Sequence, residues 1–250
     1  MRPDPARAGG ALLRTAAGAV GLSAATAVAL GLGALNGSRR RAVNFVASAG
    51  TELSLALAGV ELDVVGEEHL WSRRPAVFVF NHQSALDVLL IANLVQRDMT
   101  GVVKREASHD PRFAVLGALA GVAYVDRHDH GQAVGALSDV VRRIDDGVSI
   151  AIAPEGTRSR TGAVGPFKTG AFHMAQQAKV PVVPIVLRGA GVLMPPGSLL
   201  VHPGTVGVAV LEPIDVSGWE EDGFHAAVET VRRRFVDTLE HWPGPSEDVG

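Results

Sequence analysis

Hydrophobic and polar positions divide the chain into a long uncharged segment near its start and an alternating pattern after it. From Pro75 onward, short β-rich runs alternate with stretches of helical spacing. The runs predicted as strands are 76–80, 101–104, 122–125, 148–153, 182–187 and 205–211, and the stretches predicted as helices are 85–95, 111–119, 131–145, 170–178 and 219–240. Continuous apolar runs such as 148–153 are typical of strands buried on both sides. The alternation therefore predicts an α/β fold, a single domain with a largely parallel sheet flanked by helices.

The segment from Thr15 to Ser38 contains no charged residue. It is long enough to cross the ~30 Å hydrocarbon layer of a membrane, which needs about 20 helical residues. It is rich in Ala and Gly rather than Leu, Ile and Phe, so its tendency to insert is modest. A second, weaker apolar stretch, Val43–Val60, is interrupted by Glu52. We predict an N-terminal membrane-associated helical segment at 1–60, a folded domain at 61–240 and a disordered tail at 241–250.

Two alternatives to membrane attachment exist for this lead segment. It could contribute a pair of core helices, or it could be a secretory signal peptide with a cleavage site at Ala47-Ser48-Ala49. The arginine triplet Arg39–Arg41 lies between that site and the apolar run, which argues against a signal peptide. Three arginines flank each side of the apolar run, so the difference in positive charge between the two sides is zero and leaves spanning, re-entrant and interfacial arrangements open.

Composition excludes several classes of function for this chain. Its 250 residues carry a formal net charge of −3 and include no cysteine. Disulfide scaffolds, cysteine-ligated zinc, iron–sulfur clusters and thiol nucleophiles are therefore excluded. The mildly acidic total also argues against nucleic-acid binding, which normally requires a basic stripe.

The segment Asn81–Asp87, NHQSALD, directly follows a predicted strand. Functional groups collect where the strands of open α/β sheets end. Ser84 and Asp87 have capping-box spacing, so we predict that Ser84 is the N-cap of the next helix and that His82 lies in the loop before it. His82 can then fold back onto the carboxylate, which would leave its other ring nitrogen free as a base. A capping Asp beside an incidental surface His is the alternative.

A second polar loop, Ala153–Arg160, also follows a strand. Gly156 permits close backbone approach, while the hydroxyls and arginines of the loop suit phosphate oxygens. An anion site is chemically reasonable here, and an ordinary polar turn is the alternative. The chain has only three lysines, Lys104, Lys168 and Lys179, which draws attention to the first two.

The cluster 126–130, DRHDH, has metal-binding residue types, but no distant partner is identifiable, so we predict a solvated loop and no metal.

Together these segments resemble the glycerolipid acyltransferase family, typified by 1-acyl-sn-glycerol-3-phosphate (lysophosphatidic acid) acyltransferases. The resemblance runs from Ala76 to Pro213 and includes four blocks in the family's order: NHQSALD at 81–87, which carries the His-x₄-Asp motif, GVAYVDR at 121–127, APEGTRS at 153–159 and VPVVPIV at 180–186. Ala153 and Tyr124 depart from the commoner residues of their blocks. Neither is a matched His, Asp, Glu or Arg, so they bear on acyl or acceptor preference.

The resemblance implies a general-base acyl transfer with His82 as the base and Asp87 as its support. The donor would be acyl-CoA or an acyl carrier protein thioester, which is a co-substrate and not a bound cofactor. The residues implied in holding the acceptor are Glu155, Gly156, Thr157 and Arg158, helped by Arg127, Lys104 and Lys168. No covalent acyl-enzyme is required, which agrees with the absence of a Gly-x-Ser-x-Gly elbow.

The implied function is transfer of a fatty acyl group to the free hydroxyl of lysophosphatidic acid at the cell membrane. Because thioester donors are cytosolic, the catalytic domain is expected to face the cytoplasm, with a lysophospholipid, an acyl thioester and membrane lipid as partners. The alternatives are another lysolipid or amino-acid-derived lipid acceptor, and a non-enzymatic lipid-binding membrane protein that retains only the fold.

Overall fold

A mostly parallel sheet forms the centre of the computed structural model, which describes residues 5–104, 122–125 and 139–244. Within these ranges the strands are β1 Val60–Val65, β2 Val77–Phe80, β3 Met99–Lys104, β4 Ala123–Val125, β5 Ser149–Ile152, β6 Val182–Arg188 and β7 Gly204–Val210. Their order across the sheet is β1-β7-β6-β2-β5-β3-β4. The described neighbours pair in parallel except β6 and β7, which are antiparallel. The predicted α/β fold with a largely parallel sheet is confirmed.

The helices of the described ranges follow the predicted pattern with shifted ends. They are α1 Pro5–Asn36, α2 Arg39–Phe45, α3 Thr51–Ala58, α4 His69–Ser72, α5 Asp87–Val95, α6 Gly170–Gln177, α7 Ala190–Leu193 and α8 Phe224–Glu240. Residues 139–145 are also helical, whereas the rest of the predicted helix 131–145 and all of 111–119 lie outside the described residues. The closing helix, predicted from 219, begins at Phe224 because a short 3₁₀ turn, Glu221–Gly223, precedes it.

The sheet separates two apolar layers. In the central strand β2, Phe78 and Phe80 point into the layer that also contains α5, whereas Val77 and Val79 point into the layer beneath α6 and α8. All four side chains are buried. This alternation explains the continuous apolar sequence of the strand, because a residue on either face is covered by helices.

Strand β1 is an element that the sequence analysis missed. Its residues Val60–Val65 pair in parallel with β7 at the edge of the sheet. Glu61 is exposed and the remaining positions after Val60 are only half-buried. The strand carries acidic residues, so it lacks the continuous apolar run of a buried strand. It also follows the apolar stretch Val43–Val60 directly, so no change in the sequence pattern marks where it begins.

The three N-terminal helices form an antiparallel hairpin beside the sheet. A π-helical turn, Val46–Gly50, joins α2 to α3, which runs back along α1. Gly18 and Gly21 make the close approach possible, because a Cβ on either would lie 2.8 Å from an atom of α3. The hydroxyl of Thr15 accepts the backbone N–H of Val201 at 2.8 Å, so α1 is also tied to the domain.

The described chain continues past the predicted boundary of the tail at 240. Trp242 packs against the layer under α8, and the guanidinium of Arg188 lies 5.4 Å from the centre of its ring. The packed part of the described chain thus extends at least to Trp242, two residues into the predicted tail. Residues 245–250 lie outside the described residues.

Candidate active site

The candidate site lies at the carboxyl edge of the central strands, where two polar loops meet. The first loop follows β2 and carries His82, and the second follows the adjacent strand β5 and carries Glu155. Because β2 and β5 are parallel neighbours, both loops leave the sheet at the same edge. The sheet topology alone thus brings two segments together that are more than 70 residues apart in sequence.

Asn81 anchors the start of the first loop to strand β6. Its side-chain amide donates to the carbonyl of Leu187 at 2.9 Å, and its side-chain oxygen accepts the N–H of the same residue at 2.7 Å. The side chain therefore replaces the next backbone pair of the β2–β6 ladder. Asn81 is fully buried, so these two bonds also satisfy polar groups that have no access to water.

His82 and Asp87 form the predicted imidazole–carboxylate pair. Nδ1 of His82 lies 2.7 Å from Oδ2 of Asp87. The same oxygen accepts the backbone N–H groups of Gln83 at 2.7 Å and Ser84 at 2.8 Å, and the carboxylate is completely buried. Because a carboxylate only accepts hydrogen bonds, Nδ1 carries the proton and Nε2 presents its lone pair.

The outer side of the imidazole is accessible. About a fifth of the His82 side chain, 21%, is exposed to solvent, and no described residue hydrogen-bonds Nε2. The ring of Phe80 meets the imidazole edge-to-face, with centroids 6.0 Å apart. The ring is thus fixed on one side by Asp87 and on another by an aromatic contact, while its second nitrogen can meet a substrate.

Helix α5 starts later than the capping-box pattern predicts. The helix begins at Asp87 with Leu86 as N-cap, so the predicted N-cap at Ser84 is wrong. The hydroxyl of Ser84 accepts the N–H of Leu86 at 3.2 Å and donates to the carbonyl of Met194 at 2.8 Å. The Ser84 hydroxyl is thus engaged by the tertiary bond to Met194. Residues 85–86 form a turn, and the helix begins after them. The reciprocal half of the capping box, from Asp87 back to Ser84 N–H, is present.

The second loop holds both peptide groups of His82. The carboxylate of Glu155 accepts the N–H of His82 at 2.8 Å, and the N–H of Ser159 donates to its carbonyl at 2.7 Å. The other oxygen of Glu155 accepts the N–H of Gly165 at 2.8 Å. Glu155 was predicted among residues around a phosphate, but both of its oxygens are engaged with backbone amides inside the protein. In the structure it organises the loops.

The remaining residues predicted to hold an anion are distributed over the surface of the second loop and its surroundings. Gly156 adopts a φ of +71°, a conformation that favours glycine. Thr157 and Arg158 are exposed directly before Ser159. The exposed Lys168 returns to this loop, because its N–H donates to the carbonyl of Pro154 at 2.9 Å.

Two further predicted site residues are only partly placed or not placed. Lys104 ends strand β3 at the same edge of the sheet, and this is all that the structure describes of it. Arg127 lies outside the described residues, as does the candidate metal cluster 126–130. Within the described ranges no group of three or more His, Asp or Glu side chains is arranged to hold a metal ion.

A depression of about 250 Å³ lies against the second loop. Its lining consists of the buried Glu155, hydroxyl residues and small or apolar residues: Thr157, Ser159, Thr161, Ala163, Val164, Gly165 and Pro166. Neither His82 nor Arg158 lines it. The depression therefore lies beside the second loop, and the imidazole–carboxylate pair is not part of its lining.

Sequence reasoning missed the residues that fix the two loops to each other. Asn81, Gln83 and Gly165 take part through bonds to residues outside their own turn, including one from the Gln83 side chain to the carbonyl of Gly162 at 3.3 Å. An Asn directly after a buried strand was the one available signal, because a buried polar side chain must find partners.

Comparisons with known proteins identify the fold and the family. The family model described as Acyltransferase matches residues 61–188. The chain is 34% identical to a 1-acyl-sn-glycerol-3-phosphate acyltransferase from Cocos nucifera over 184 residues, which are 73% of this chain and 59% of that protein. The corresponding enzyme from Saccharomyces cerevisiae is 33% identical over 186 residues, which are 73% of this chain and 61% of that protein.

The alpha form of that acyltransferase from Homo sapiens is 34% identical over 181 residues, which are 72% of this chain and 64% of that protein. The matched region thus spans about three-fifths of the length of these relatives. Among solved structures, the crystal structure of the 1-acyl-sn-glycerophosphate (LPA) acyltransferase PlsC from Thermotoga maritima is similar, with a TM-score of 0.76 and 26% identity. That match covers 94% of this chain and 98% of that one.

Proposed function

Because this chain belongs to the acyltransferase family, we propose that it transfers a fatty acyl group from a thioester donor to the free hydroxyl of a lysophospholipid, with lysophosphatidic acid as the acceptor. The observation that carries the proposal is the 2.7 Å contact between His82 Nδ1 and Asp87 Oδ2, which leaves Nε2 available. The similarity to proteins named 1-acyl-sn-glycerol-3-phosphate acyltransferases supports the choice of acceptor.

In the proposed mechanism, Nε2 of His82 removes the proton from the acceptor hydroxyl. The alcohol oxygen attacks the thioester carbonyl, a tetrahedral intermediate forms, and collapse breaks the carbon–sulfur bond. The departing thiolate takes the proton back from the imidazolium, so that the products are an ester and a free thiol. The buried Asp87 carboxylate stabilises the transient imidazolium and keeps the ring in one tautomer.

The second loop is proposed to bind the phosphate of the acceptor. Arg158 is exposed and lies one residue before Ser159, whose N–H is bonded to the carbonyl of His82. An anion held by this guanidinium would therefore lie beside the loop that carries the base. A planar guanidinium suits bidentate contact with phosphate oxygens. Lys168, Lys104 and Arg127 are proposed to assist by their positive charge.

Helix α1 is proposed to attach the protein to the membrane in the plane of the interface. The described helix is apolar over Gly9–Leu35, a length that could also cross a membrane, yet only 28% of this window is buried. Large apolar side chains are exposed along it: Leu12, Leu13, Val20, Val28, Leu30, Leu32 and Leu35. The other side of α1 packs against α3, and Thr15 is bonded to the folded domain. A helix lying in the plane of the interface keeps these protein contacts and also places the exposed apolar side chains in the membrane.

The proposed donors are acyl-CoA and acyl carrier protein thioesters. Both are cytosolic, so the domain would face the cytoplasm from the inner surface of the cell membrane. An attached enzyme would also meet its lipid acceptor at high local concentration, which a soluble domain would not.

An acyl-transfer assay tests the proposed function. Purified full-length protein in mixed micelles receives a radiolabelled acyl thioester of each type together with a panel of lysolipids, and the products are separated by thin-layer chromatography. We expect labelled phosphatidic acid as the main product. Equal transfer to lysolipids without a terminal phosphate monoester would contradict the proposed acceptor, and no transfer to any acceptor would contradict the enzymatic function.

A further inference from the structure

The Glu155 carboxylate is buried between two backbone amides. It is 7% exposed and receives the N–H of His82 on one oxygen and the N–H of Gly165 on the other, both at 2.8 Å. Burial of a carboxylate is destabilising unless hydrogen bonds compensate for the lost water. The two amides supply that compensation.

The convergence of two N–H donors requires a side chain with two acceptor atoms at this position. A carboxylate provides them, whereas an amide side chain has one oxygen and one NH₂ group. In a Gln at this position, the NH₂ would face one of the amides donor-to-donor. The geometry therefore selects Glu over its neutral isostere and ties the backbone of His82 to the far end of the second loop.

We propose that Glu155 is a positioning residue that holds the His82 backbone in register with the loop that carries Arg158. This inference rests on the proposed function of His82 as the base. Glu155 acts together with the Ser159 N–H, so both peptide groups of His82 are fixed by the second loop. The consequence is that the distance between the base and a headgroup held near Arg158 is set inside the protein, before the acceptor binds.

A positioning role and a headgroup-binding role predict opposite kinetic effects. A shift of about 1 Å in a catalytic group lowers turnover by up to about a hundredfold. Loss of a positioning residue therefore lowers kcat, while loss of a binding residue raises KM for the acceptor. The carboxylate is unsuited to binding a phosphate in any case, because both are anionic.

The first test is the kinetic comparison of Glu155→Gln with the wild type. We expect kcat to fall by about tenfold to a hundredfold while KM for the acceptor changes less than about twofold. The fraction of folded protein in each sample is measured from an unfolding curve, which does not depend on activity. The kcat is then calculated per folded molecule. A raised KM with unchanged kcat, or an unchanged kcat per folded molecule, would overturn the inference.

A second variant moves the carboxylate without changing its charge. A Cβ at Gly165 would lie 3.0 Å from Oε2 of Glu155, so Gly165→Ala displaces that oxygen. Gly170→Ala is the matched control, because a Cβ there meets no atom within 4 Å. We expect a severalfold fall in kcat for the first and wild-type kcat for the second. Equal kcat values for the two variants would count against the inference.

Hydrogen exchange separates this inference from the proposed function. In the wild type the His82 amide donates to buried Glu155 and should exchange slowly. We expect Glu155→Gln to accelerate exchange by tenfold or more in the peptide containing His82 or in the peptide containing Gly165, whichever amide faces the Gln NH₂ group, relative to peptides from α8. Unchanged exchange would overturn the positioning role even if the enzyme is active. Accelerated exchange in a protein that transfers no acyl group would support the positioning role and refute the proposed chemistry.

Discussion

The imidazole of His82 is held by Asp87 through a single oxygen that also caps the turn between them. Oδ2 of Asp87 accepts Nδ1–H of His82 at 2.7 Å together with two backbone N–H groups, whereas Oδ1 is buried and has no partner among the described residues. One carboxylate oxygen therefore fixes both the turn and the ring. If His82 becomes an imidazolium, the negative charge of Asp87 already lies beside it, and neither side chain has to move.

Asp87→Asn tests this charge with little change in shape. The Asn oxygen can keep the backbone contacts, but the neutral side chain no longer stabilises the imidazolium or imposes the tautomer. We expect kcat to fall by roughly 10³- to 10⁴-fold with a small change in KM. The control is Asp139→Asn, which alters an exposed Asp that pairs with Arg142. A kcat within a few fold of the wild type would show that Asp87 only caps the turn.

Arg158→Ala tests the proposed binding of the acceptor phosphate. Hydrogen bonds to charged groups contribute about 1.5–3 kcal/mol, so KM for lysophosphatidic acid should rise by roughly tenfold or more, with kcat little changed. Arg160→Ala is the matched comparison, since Arg160 is an exposed Arg of the same loop. We expect a smaller rise in the acceptor KM for Arg160→Ala than for Arg158→Ala. An unchanged acceptor KM in Arg158→Ala would remove the phosphate role from this residue.

The contact between Arg40 and Asp98 predicts a pH-dependent contribution to stability. The hydrogen bond from Arg40, at 2.6 Å, lowers the pKa of Asp98 more than burial raises it, and Asn44 lowers it further. A carboxyl whose pKa is lower in the folded protein stabilises it above the unfolded pKa of about 3.9, and this stabilisation is lost as pH falls through the lower folded value.

Asp98→Asn should therefore destabilise the protein at neutral pH and not in strong acid. Both side chains are partly exposed, so the expected loss in unfolding free energy at pH 7 is small, about 0.5–1 kcal/mol. Urea unfolding of wild type and variant between pH 7 and pH 3 would measure it. A difference that stays constant below the unfolded pKa of about 3.9 would contradict the account.

The exposed apolar face of α1 should determine binding to membranes. Leu13 and Leu35 are 73% and 83% exposed, and burying a Leu contributes about 1.5–3 kcal/mol. We expect the double change Leu13→Glu and Leu35→Glu to lower binding to phosphatidylcholine vesicles by at least tenfold in a sedimentation assay. The control places the same charges at Ala226 and Thr230, exposed residues of α8 on the other face of the sheet. Equal binding of the two double variants would contradict attachment through α1.

The sheet could be predicted from sequence wherever its strands are buried on both faces. The runs at 76–80, 148–153 and 182–187 correspond to β2, β5 and β6 to within a residue or two at each end. Such strands must be apolar along their whole length, so pattern alone identifies them. The edge strand Val60–Val65 was missed because its exposed positions tolerate acids, which removes that signal.

The candidate pair could also be predicted, because it depends on residues five apart in one turn. The role of Glu155 could not. Its partner His82 is 73 residues away, and Pro-Glu-Gly in a polar loop is typical of an exposed turn. Only the sheet order, which puts β2 beside β5, brings the carboxylate to the His82 amide. Long-range contacts of this kind are set by topology and leave no local pattern in the sequence.

The most direct test of the account is the rate of acyl transfer by His82→Ala, measured with lysophosphatidic acid and a labelled acyl thioester beside His225→Ala, a change to an exposed histidine on α8. Removal of a general base lowers the rate by about 10²- to 10⁴-fold. We expect that loss in His82→Ala, with binding of lysophosphatidic acid retained and with wild-type turnover in His225→Ala. Near-normal turnover by folded His82→Ala would contradict the assignment of this imidazole as the base.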